Sequence, residues 1–455
     1  MPRILADLSP LRESPAFKRL WIGNALSAVG GQLTLVAVSL EVYELTQSSL
    51  YVGLLGAFAL VPLVLTGLYG GSIADAHDRR KVALASAFVL WAATAAIAAQ
   101  AWLGVDNVWV LYGLVAVHSA AGGINQPARG AIIPAIVGLK LLPAANSLNM
   151  VTFGIAQMVG PLLGGILVAR IGFGWTYGID VLTYTAAVWS VYMLPALPPN
   201  GKAGQAGLRS VVEGFRFLGT QPNVRMTFLI DLAAMVLAAP RALLPAVGAV
   251  LIGGGELTMG LLLAATAMGA FLAGLFSGPL GRIRRQGVAV FVSVVAWDVS
   301  IGAFGLVVLL ASRQPLPAGG EASAWLWPAA LCMAVAGVAD AISSVFRTTI
   351  LQTATPDHLR GRLQGVFIVV VAGGPRLGEM ISGGVAGGIG EGATLLLGGI
   401  ACVLAAALLM RAQPGFLRYD SRHPTPRSIP RAAAPQTPGN IPAGNKDSPR
   451  HVDYS

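Results

Sequence analysis

The sequence feature that most constrains the fold is a series of about twelve long apolar segments separated by short polar ones. A membrane-spanning helix needs about 20 mostly apolar residues, and lipid offers backbone polar groups no partner outside a helix or a closed barrel. The segments are continuous apolar runs without period-2 alternation, which excludes a barrel. We number them spans 1 to 12, at about 17–43, 48–73, 82–103, 106–126, 147–169, 175–196, 225–251, 256–280, 287–311, 325–347, 363–388 and 391–411.

The composition agrees with an all-α polytopic membrane protein. Of the 455 residues, 55% are hydrophobic and 11% are charged, whereas about a quarter of the residues in a soluble protein carry charge. The 57 glycines favour close helix packing, because small residues let backbones approach where lipid gives no hydrophobic drive to association.

The basic residues predict the orientation. If residue 1 is cytoplasmic, the cytoplasmic segments hold 26 of the 30 Lys and Arg residues, so the positive-inside rule puts both termini in the cytoplasm. This count assigns Arg129 and Arg347 to cytoplasmic connections. The net charge of +10 therefore reflects topology, and no nucleic-acid partner is expected.

The longest cytoplasmic connection divides the spans into two sets of six. We expect a cytoplasmic N-terminal segment at 1–16, a six-helix bundle at 17–197, a linker at 198–224, a second bundle at 225–411 and a disordered tail at 412–455. Three motifs of the first half recur in order in the second. Gly160-Pro161 returns at Gly374-Pro375, Arg129 returns at Arg347, and the cationic turn after span 2 returns after span 8. These repeats indicate internal duplication.

The turn after span 2 reads GGSIADAHDRRK, from Gly70 to Lys81. It resembles the loop between helices 2 and 3 of the major facilitator superfamily, although Ala76 and Asp78 depart from that pattern. The resemblance implies two pseudo-symmetric six-helix bundles and a gating motif, carried here by Gly71, Asp75, Arg79, Arg80 and Lys81. Asp75 would pair with a cation of the opposite half, such as Arg347, Arg360 or Arg362. The alternative is that the three cations only anchor topology.

Further stretches resemble the enterobactin exporter subfamily of that superfamily, whose relatives export siderophores and amphipathic drugs with proton coupling. They include SPAFKRL, WTYGID and LQTATPDHLRGRLQG. In span 5, Gly160, Pro161, Gly164 and Gly165 resemble the second half of the drug:proton antiporter motif, while Ser147 and Ala156 replace its earlier glycines. A plain packing role for the same four residues is an equal alternative, because proline permits a kink and glycine permits close contact.

Ionisable side chains inside spans are costly unless they are paired or face water, so each one is a functional hypothesis. A lone carboxyl in a low-dielectric setting can load and release a proton. The candidates for proton coupling are Asp231, Asp340, Asp298 and Glu379, with Asp298 ranked below Asp231 and Asp340. Arg241 and Arg376 are candidates for substrate contact, although Arg376 and Glu379 are three residues apart and can neutralise each other. Glu41 and Glu44 are expected at the membrane interface.

The resulting hypothesis is a secondary active exporter of a small amphipathic molecule, working by proton-coupled alternating access. Alternatives are a proton-coupled importer and a non-transporting membrane sensor. No enzyme motif, phosphate loop or metal-ligand spacing is present, so the only energy source expected is a proton gradient, without cofactor or metal. Expected partners are the substrate, protons and lipid. The protein is predicted to be a monomer in the bacterial cytoplasmic membrane.

Overall fold

The computed structural model of the chain describes residues 7–198, 216, 218–277, 280, 283–317, 320–354 and 360–419. Within those ranges it leaves out the side chains of 71, 72, 74, 75, 139, 352–354, 360–369, 371 and 372. The predicted linker therefore lies mostly outside the described residues, as does the tail from residue 420.

The described residues of the first half form seven helices. After the short α1 (Ser9–Glu13) come α2 (Pro15–Thr46), α3 (Ser49–Ala76) and α4 (Arg79–Trp102). One helical run then covers Val108–Tyr192, in which Gly138 and Gly172 have non-helical angles with φ of 70° and 76°. Because only glycine adopts such angles readily, the run divides there into α5 (108–137), α6 (139–171) and α7 (173–192).

The longer helices among the described residues of the second half are α8 (Pro222–Leu237), α9 (Gly255–Leu275), α10 (Gln286–Ala311), α11 (Leu326–Ala354), α12 (Arg360–Ile389) and α13 (Glu391–Ala412). Spans 1 to 12 thus correspond to α2 to α13. Span 7 was predicted as one continuous helix, and this is wrong. The α-helix stops before Pro240, which lacks a backbone donor, and the chain continues through short 3₁₀ and π turns to Leu251.

The all-helical fold is confirmed for the described residues. Ten helices there are long and apolar enough to cross a membrane, and one of these, Lys140–Tyr192, is 53 residues long and includes the break at Gly172. With α6 and α7 counted separately the number is eleven. The count of twelve depends on α12, which has 30 residues but is not among the ten.

Local sequence explains where several helices begin. The hydroxyl of Ser14 accepts a hydrogen bond from the backbone N–H of Phe17, with Pro15 in the first turn. Asp78 caps α4 in the same way, accepting from the backbone N–H of Arg80 at 2.9 Å. Oxygen-bearing side chains are favoured at this position because the first backbone N–H groups of a helix have no partner in the helix.

The end of the chain's described part is more ordered than expected. The tail was predicted to be disordered from residue 412, but a 3₁₀ turn follows at Pro414–Arg418. Phe416 is fully buried, and its carbonyl lies so close to Gly287 of α10 that a Cβ there would clash. Residues 414–418 of the predicted tail are therefore ordered, and the tail from residue 420 lies outside the described residues.

The two halves meet at only one end of the described structure. We call the end where α2 begins and α13 ends the terminal end, and the other the distal end. The largest apolar cluster combines residues of both halves towards the distal end, such as Val36 and Tyr177 with Leu243 and Met259. At the terminal end each apolar cluster belongs to one half, one around Leu20, Ile132 and Val191 and another around Ile230, Phe346 and Met410.

Glycines form the contact at the distal end, which we call the distal seam. A Cβ at Gly56 of α3 would lie 2.7 Å from the carbonyl oxygen of Arg376 in α12, and one at Gly260 of α9 would lie 2.8 Å from that of Pro161 in α6. Gly165 of α6 likewise meets the backbone of Glu256. By contrast, a Cβ at Gly154 in the terminal half of α6 would have nothing within 4 Å. The helices therefore touch at the distal seam and diverge towards the terminal end.

Two glycine-to-alanine changes in α6 test this asymmetry. Both should gain about 1 kcal/mol of helix propensity, but Gly165→Ala should also incur an overpacking cost of about 1–3 kcal/mol because backbone of the other half occupies its space. We expect Gly165→Ala to lower the thermal unfolding temperature of the purified protein in detergent, and Gly154→Ala to leave it unchanged or raise it. Equal shifts for both variants would contradict the close contact at Gly165.

Candidate functional site

The second half holds a cluster of three charged side chains, Arg347 and Asp340 on α11 and Asp231 on α8. One terminal nitrogen of Arg347 is paired with Asp231, and the other lies 3.3 Å from Oδ1 of Asp340. The side chains of Arg347 and Asp231 are 13% and 10% exposed, whereas that of Asp340 is 54% exposed. Asp340 therefore faces open space, while Asp231 is shielded.

Helical spacing explains how the cluster forms. Asp340 and Arg347 are seven residues apart, which is nearly two turns, so they lie on one face of α11. Arg347 was predicted to lie in a cytoplasmic connection, and this is wrong, because α11 continues to Ala354. Asp231, predicted to be a lone carboxyl, has a counter-ion.

The first half contains an equivalent pair, Arg129 on α5 and Asn24 on α2. A terminal nitrogen of Arg129 donates to Oδ1 of Asn24. Asn24 and Asp231 are each the tenth residue of a helix that begins with proline, and Arg129 and Arg347 are each the twenty-second residue from the start of theirs. Each half thus places an arginine at the equivalent position of one helix against the equivalent residue of another. That residue carries an amide in the first half and a carboxylate in the second.

Arg129 was also assigned to a connection by the sequence and lies instead inside the helical run that contains α5. Its Nε and Nη2 atoms are shielded from solvent and have no hydrogen-bond partner among the described residues. The signal that identifies both arginines was present in the sequence as a repeat 218 residues apart, but the predicted spans ended too early to include them.

The face of α5 that carries Arg129 points towards the other half. His118 lies eleven residues before Arg129, close to three full turns, and so shares its face. His118 is near enough to Arg376 of α12 to interact with it electrostatically. On the other side, the Tyr184 hydroxyl of α7 lies 3.4 Å from Nε2 of His118. Arg129 therefore lies on the face of α5 that approaches the other half at His118.

Other candidates lie apart from this cluster. Arg376 and Glu379 approach to 4.0 Å on α12, at the distal seam. Arg241 is exposed in the turn after α8 and interacts electrostatically with Asp340. Asp298 is fully buried on α10, and no described group donates a conventional hydrogen bond to its carboxylate, although the Cys402 thiol lies beside it.

Two buried carboxyls were missed or misplaced by the sequence analysis. Asp180 on α7 is fully buried and accepts hydrogen bonds from Thr34 at 2.5 Å and Thr183 at 2.9 Å. Glu41 was expected at the membrane interface but is only 7% exposed, and it accepts from Gln100 at 2.7 Å and from the Tyr177 hydroxyl at 2.5 Å. Both lie between helices of the first half, where polar groups from neighbouring helices satisfy them.

The gating motif is more helical than a loop, since α3 continues to Ala76 and α4 starts at Arg79. Arg79 donates to the carbonyl of Ala131 at 3.4 Å, and Arg80 to that of Tyr192 at 2.6 Å. Both arginines are thus attached to their own half. The side chains of Asp75, Arg360 and Arg362 lie outside the described ones, so the partner of Asp75 stays a prediction. The surroundings of Gly71 are not described either. Lys81 is exposed.

The span 5 motif lies in α6 and contacts two different neighbours. Gly160 and Gly164 lie against Gln32 and Val36 of α2, in the same half. Gly165 and the carbonyl of Pro161 contact α9 across the distal seam. Apart from Gly138 and Gly172, the helical run has helical backbone angles, so Pro161 does not break α6.

A double-mutant cycle tests the buried ion pair. Arg347→Gln should destabilise the protein by about 3–5 kcal/mol, because it leaves Asp231 charged and buried without its partner. Combining it with Asp231→Asn should cost clearly less than the sum of the two single changes. The measurement is thermal unfolding in detergent, with Arg313→Gln in the exposed turn after α10 as a control expected to be neutral. Additive effects at Asp231 and Arg347 would show that the two side chains do not interact.

Comparison with known proteins supplies the context for this geometry. Residues 5–423 match the family described as transmembrane secretion effector. The chain is 29% identical over 426 residues to the enterobactin exporter EntS of Citrobacter koseri, covering 94% of this chain and 98% of the relative. It is 28% identical over 423 residues to EntS of Escherichia coli O81, covering 92% and 97%.

Solved structures share the fold at low sequence identity. The nucleoside transporter NupG aligns with a TM-score of 0.69 at 14% identity, over 88% of this chain and 100% of that one. A bacterial homologue of the iron transporter ferroportin, in an inward-facing state, aligns with a TM-score of 0.65 at 15% identity, over 87% and 98%. These proteins are membrane transporters and not enzymes. The chain belongs to the transmembrane secretion effector family of the major facilitator superfamily.

Proposed function

We propose that the protein exports a small amphipathic molecule, of the siderophore or drug-like class, from the cytoplasm by proton-coupled alternating access. The terminal end would face the cytoplasm, because 26 of the 30 Lys and Arg residues were assigned to that side from the sequence. Arg129 and Arg347, which lie within helices, are two of the 26, and most of the cations remain on that side without them. The membrane would be the bacterial inner membrane. The curated relatives are exporters of enterobactin, which favours a siderophore as substrate.

The observation that carries this proposal is the charge of the Arg347 cluster beside an opening. Two carboxylates share one guanidinium, so these three side chains carry one excess negative charge when both carboxylates are ionised, and Arg241 interacts electrostatically with Asp340 from the turn after α8. A proton on Asp340 would make the three side chains neutral. Because Asp340 is 54% exposed and sits in the middle of α11, it would be the carboxyl of this cluster that takes up the proton within the depth of the membrane.

The distal seam supports the second part of the proposal. With α3 against α12 and α6 against α9 at the distal end, and separate apolar clusters at the terminal end, the space between the halves would be open to the terminal side only. Alternating access requires the opposite arrangement as well, in which the seam opens and the terminal end closes. The glycine contacts suit such a seam, because backbone meets backbone at those points, although the apolar side chains that both halves share at this end would also have to separate.

Export is testable in a bacterial strain that lacks its own siderophore exporters. Cells that express the wild-type chain should retain less enterobactin than cells with an empty vector, and a proton uncoupler should abolish the difference. Greater retention in expressing cells would indicate import. Equal retention, together with unchanged sensitivity to a panel of amphipathic drugs, would contradict transport of this substrate class.

The assignment of proton coupling is tested separately at Asp340. Asp340→Asn removes the titratable carboxyl but keeps the shape of the side chain, so uphill export should fall to the empty-vector level while the membrane abundance of the protein stays the same. Asp106→Asn, in the exposed turn before α5, is the matched control and should export normally. If Asp340→Asn still exports against a gradient and still responds to the uncoupler, Asp340 is not the coupling group.

A further inference from the structure

Arg129 is a cation without a counter-charge among the described residues. Its single side-chain partner there is the amide oxygen of Asn24, and its Nε and Nη2 atoms have no acceptor. Arg347, at the equivalent place in the second half, is held by Asp231 and Asp340. The duplication has thus kept the arginine in both halves and the acid in only one.

A buried guanidinium without a counter-ion is energetically unfavourable unless another group accepts its hydrogen bonds or balances its charge. A buried charge needs a counter-ion or a full set of acceptors, and Asn24 provides one acceptor and no charge. Snorkelling to the membrane surface does not explain Arg129, because that would put its nitrogens in water, whereas Nε and Nη2 are shielded. The arginine is therefore arranged to receive an acceptor that the described residues do not supply.

The surroundings of Arg129 indicate the kind of acceptor. The face of α5 that it shares with His118 borders the space between the halves, opposite Arg376. Tyr184 is near enough to Arg129 to interact electrostatically with it, and its ring stands edge-on to that of His118 with centroids 5.9 Å apart. Guanidinium donors suit carboxylates and phenolates, and aromatic side chains suit a flat ring.

We propose that Arg129 and Asn24 form a binding site for the anionic group of the transported molecule, an aryl carboxylate or phenolate. This rests on the proposed function, since it places the substrate in the cavity between the halves. The anion would meet the free donors of Arg129 after a local side-chain adjustment, and the neutral Asn24 would leave the positive charge available to it. The second half would carry the proton and the first half the anion.

Equilibrium binding to the purified protein in detergent tests this site without any transport. The probes are 2-naphthoate and its neutral isostere 2-naphthamide, followed by protein tryptophan fluorescence. The wild type should bind the acid at least about tenfold more tightly than the amide, as expected for a charge-assisted pair. Arg129→Gln should lose this preference, and Arg170→Gln, at the exposed distal end of α6, should keep it.

Asn24→Asp is the decisive variant, because it keeps the arginine and copies the pairing of the second half. With an internal counter-ion, Arg129 should no longer prefer the acid over the amide, and the protein should be at least as stable as the wild type. The proposal is overturned if the wild type shows no saturable binding of 2-naphthoate or no preference for it, or if Asn24→Asp retains the preference. The binding assay does not depend on a proton gradient or on the direction of transport. The binding result can therefore be interpreted even if the cells show no export.

Discussion

The structure depends on how two arginines are accommodated within the depth of a membrane. Arg129 and Arg347 occupy matching positions in the two halves, and the residues around each one are the main chemical difference between the halves. Where the partner is Asp231, the charge is neutralised inside the protein and a second acid, Asp340, adds an excess negative charge. Where the partner is Asn24, the positive charge stays. One duplicated scaffold thus gives two sites of opposite charge on either side of a common space.

The packing separates rigid from separable contacts. Within each half, apolar clusters and buried polar groups such as Asp180 with Thr34 join helices that stay together. Between the halves, the described contacts at the distal end combine a shared cluster of apolar side chains with close contacts of backbone against glycine. The glycine contacts gain dispersion energy from close approach without interdigitated side chains. They suit surfaces that separate and rejoin, whereas the clusters within a half suit bodies that move as units.

The sequence was sufficient for the fold because the length of the apolar runs and the absence of period-2 alternation leave few alternatives. It was less informative about the site. The predicted spans stopped at the first cations, so Arg129 and Arg347 were counted as loop residues, although helices here continue past them. A charged residue ends a membrane span only when it faces lipid or water at the surface. The sequence alone does not show whether a charged side chain has a partner inside the protein. Asp180 was overlooked for the same reason, since its acceptor role depends on Thr34, which is distant in sequence. The gate at Asp75 stays a prediction.

The short turn at the end of the described chain has a mechanical consequence. Phe416 sits fully buried, with its backbone against Gly287 at the start of α10, so the segment after α13 is fastened to a helix three spans earlier. The Phe416 segment thereby connects α13 to α10 at the terminal end through a contact within the protein. A chain cut just after α13 would lose this contact.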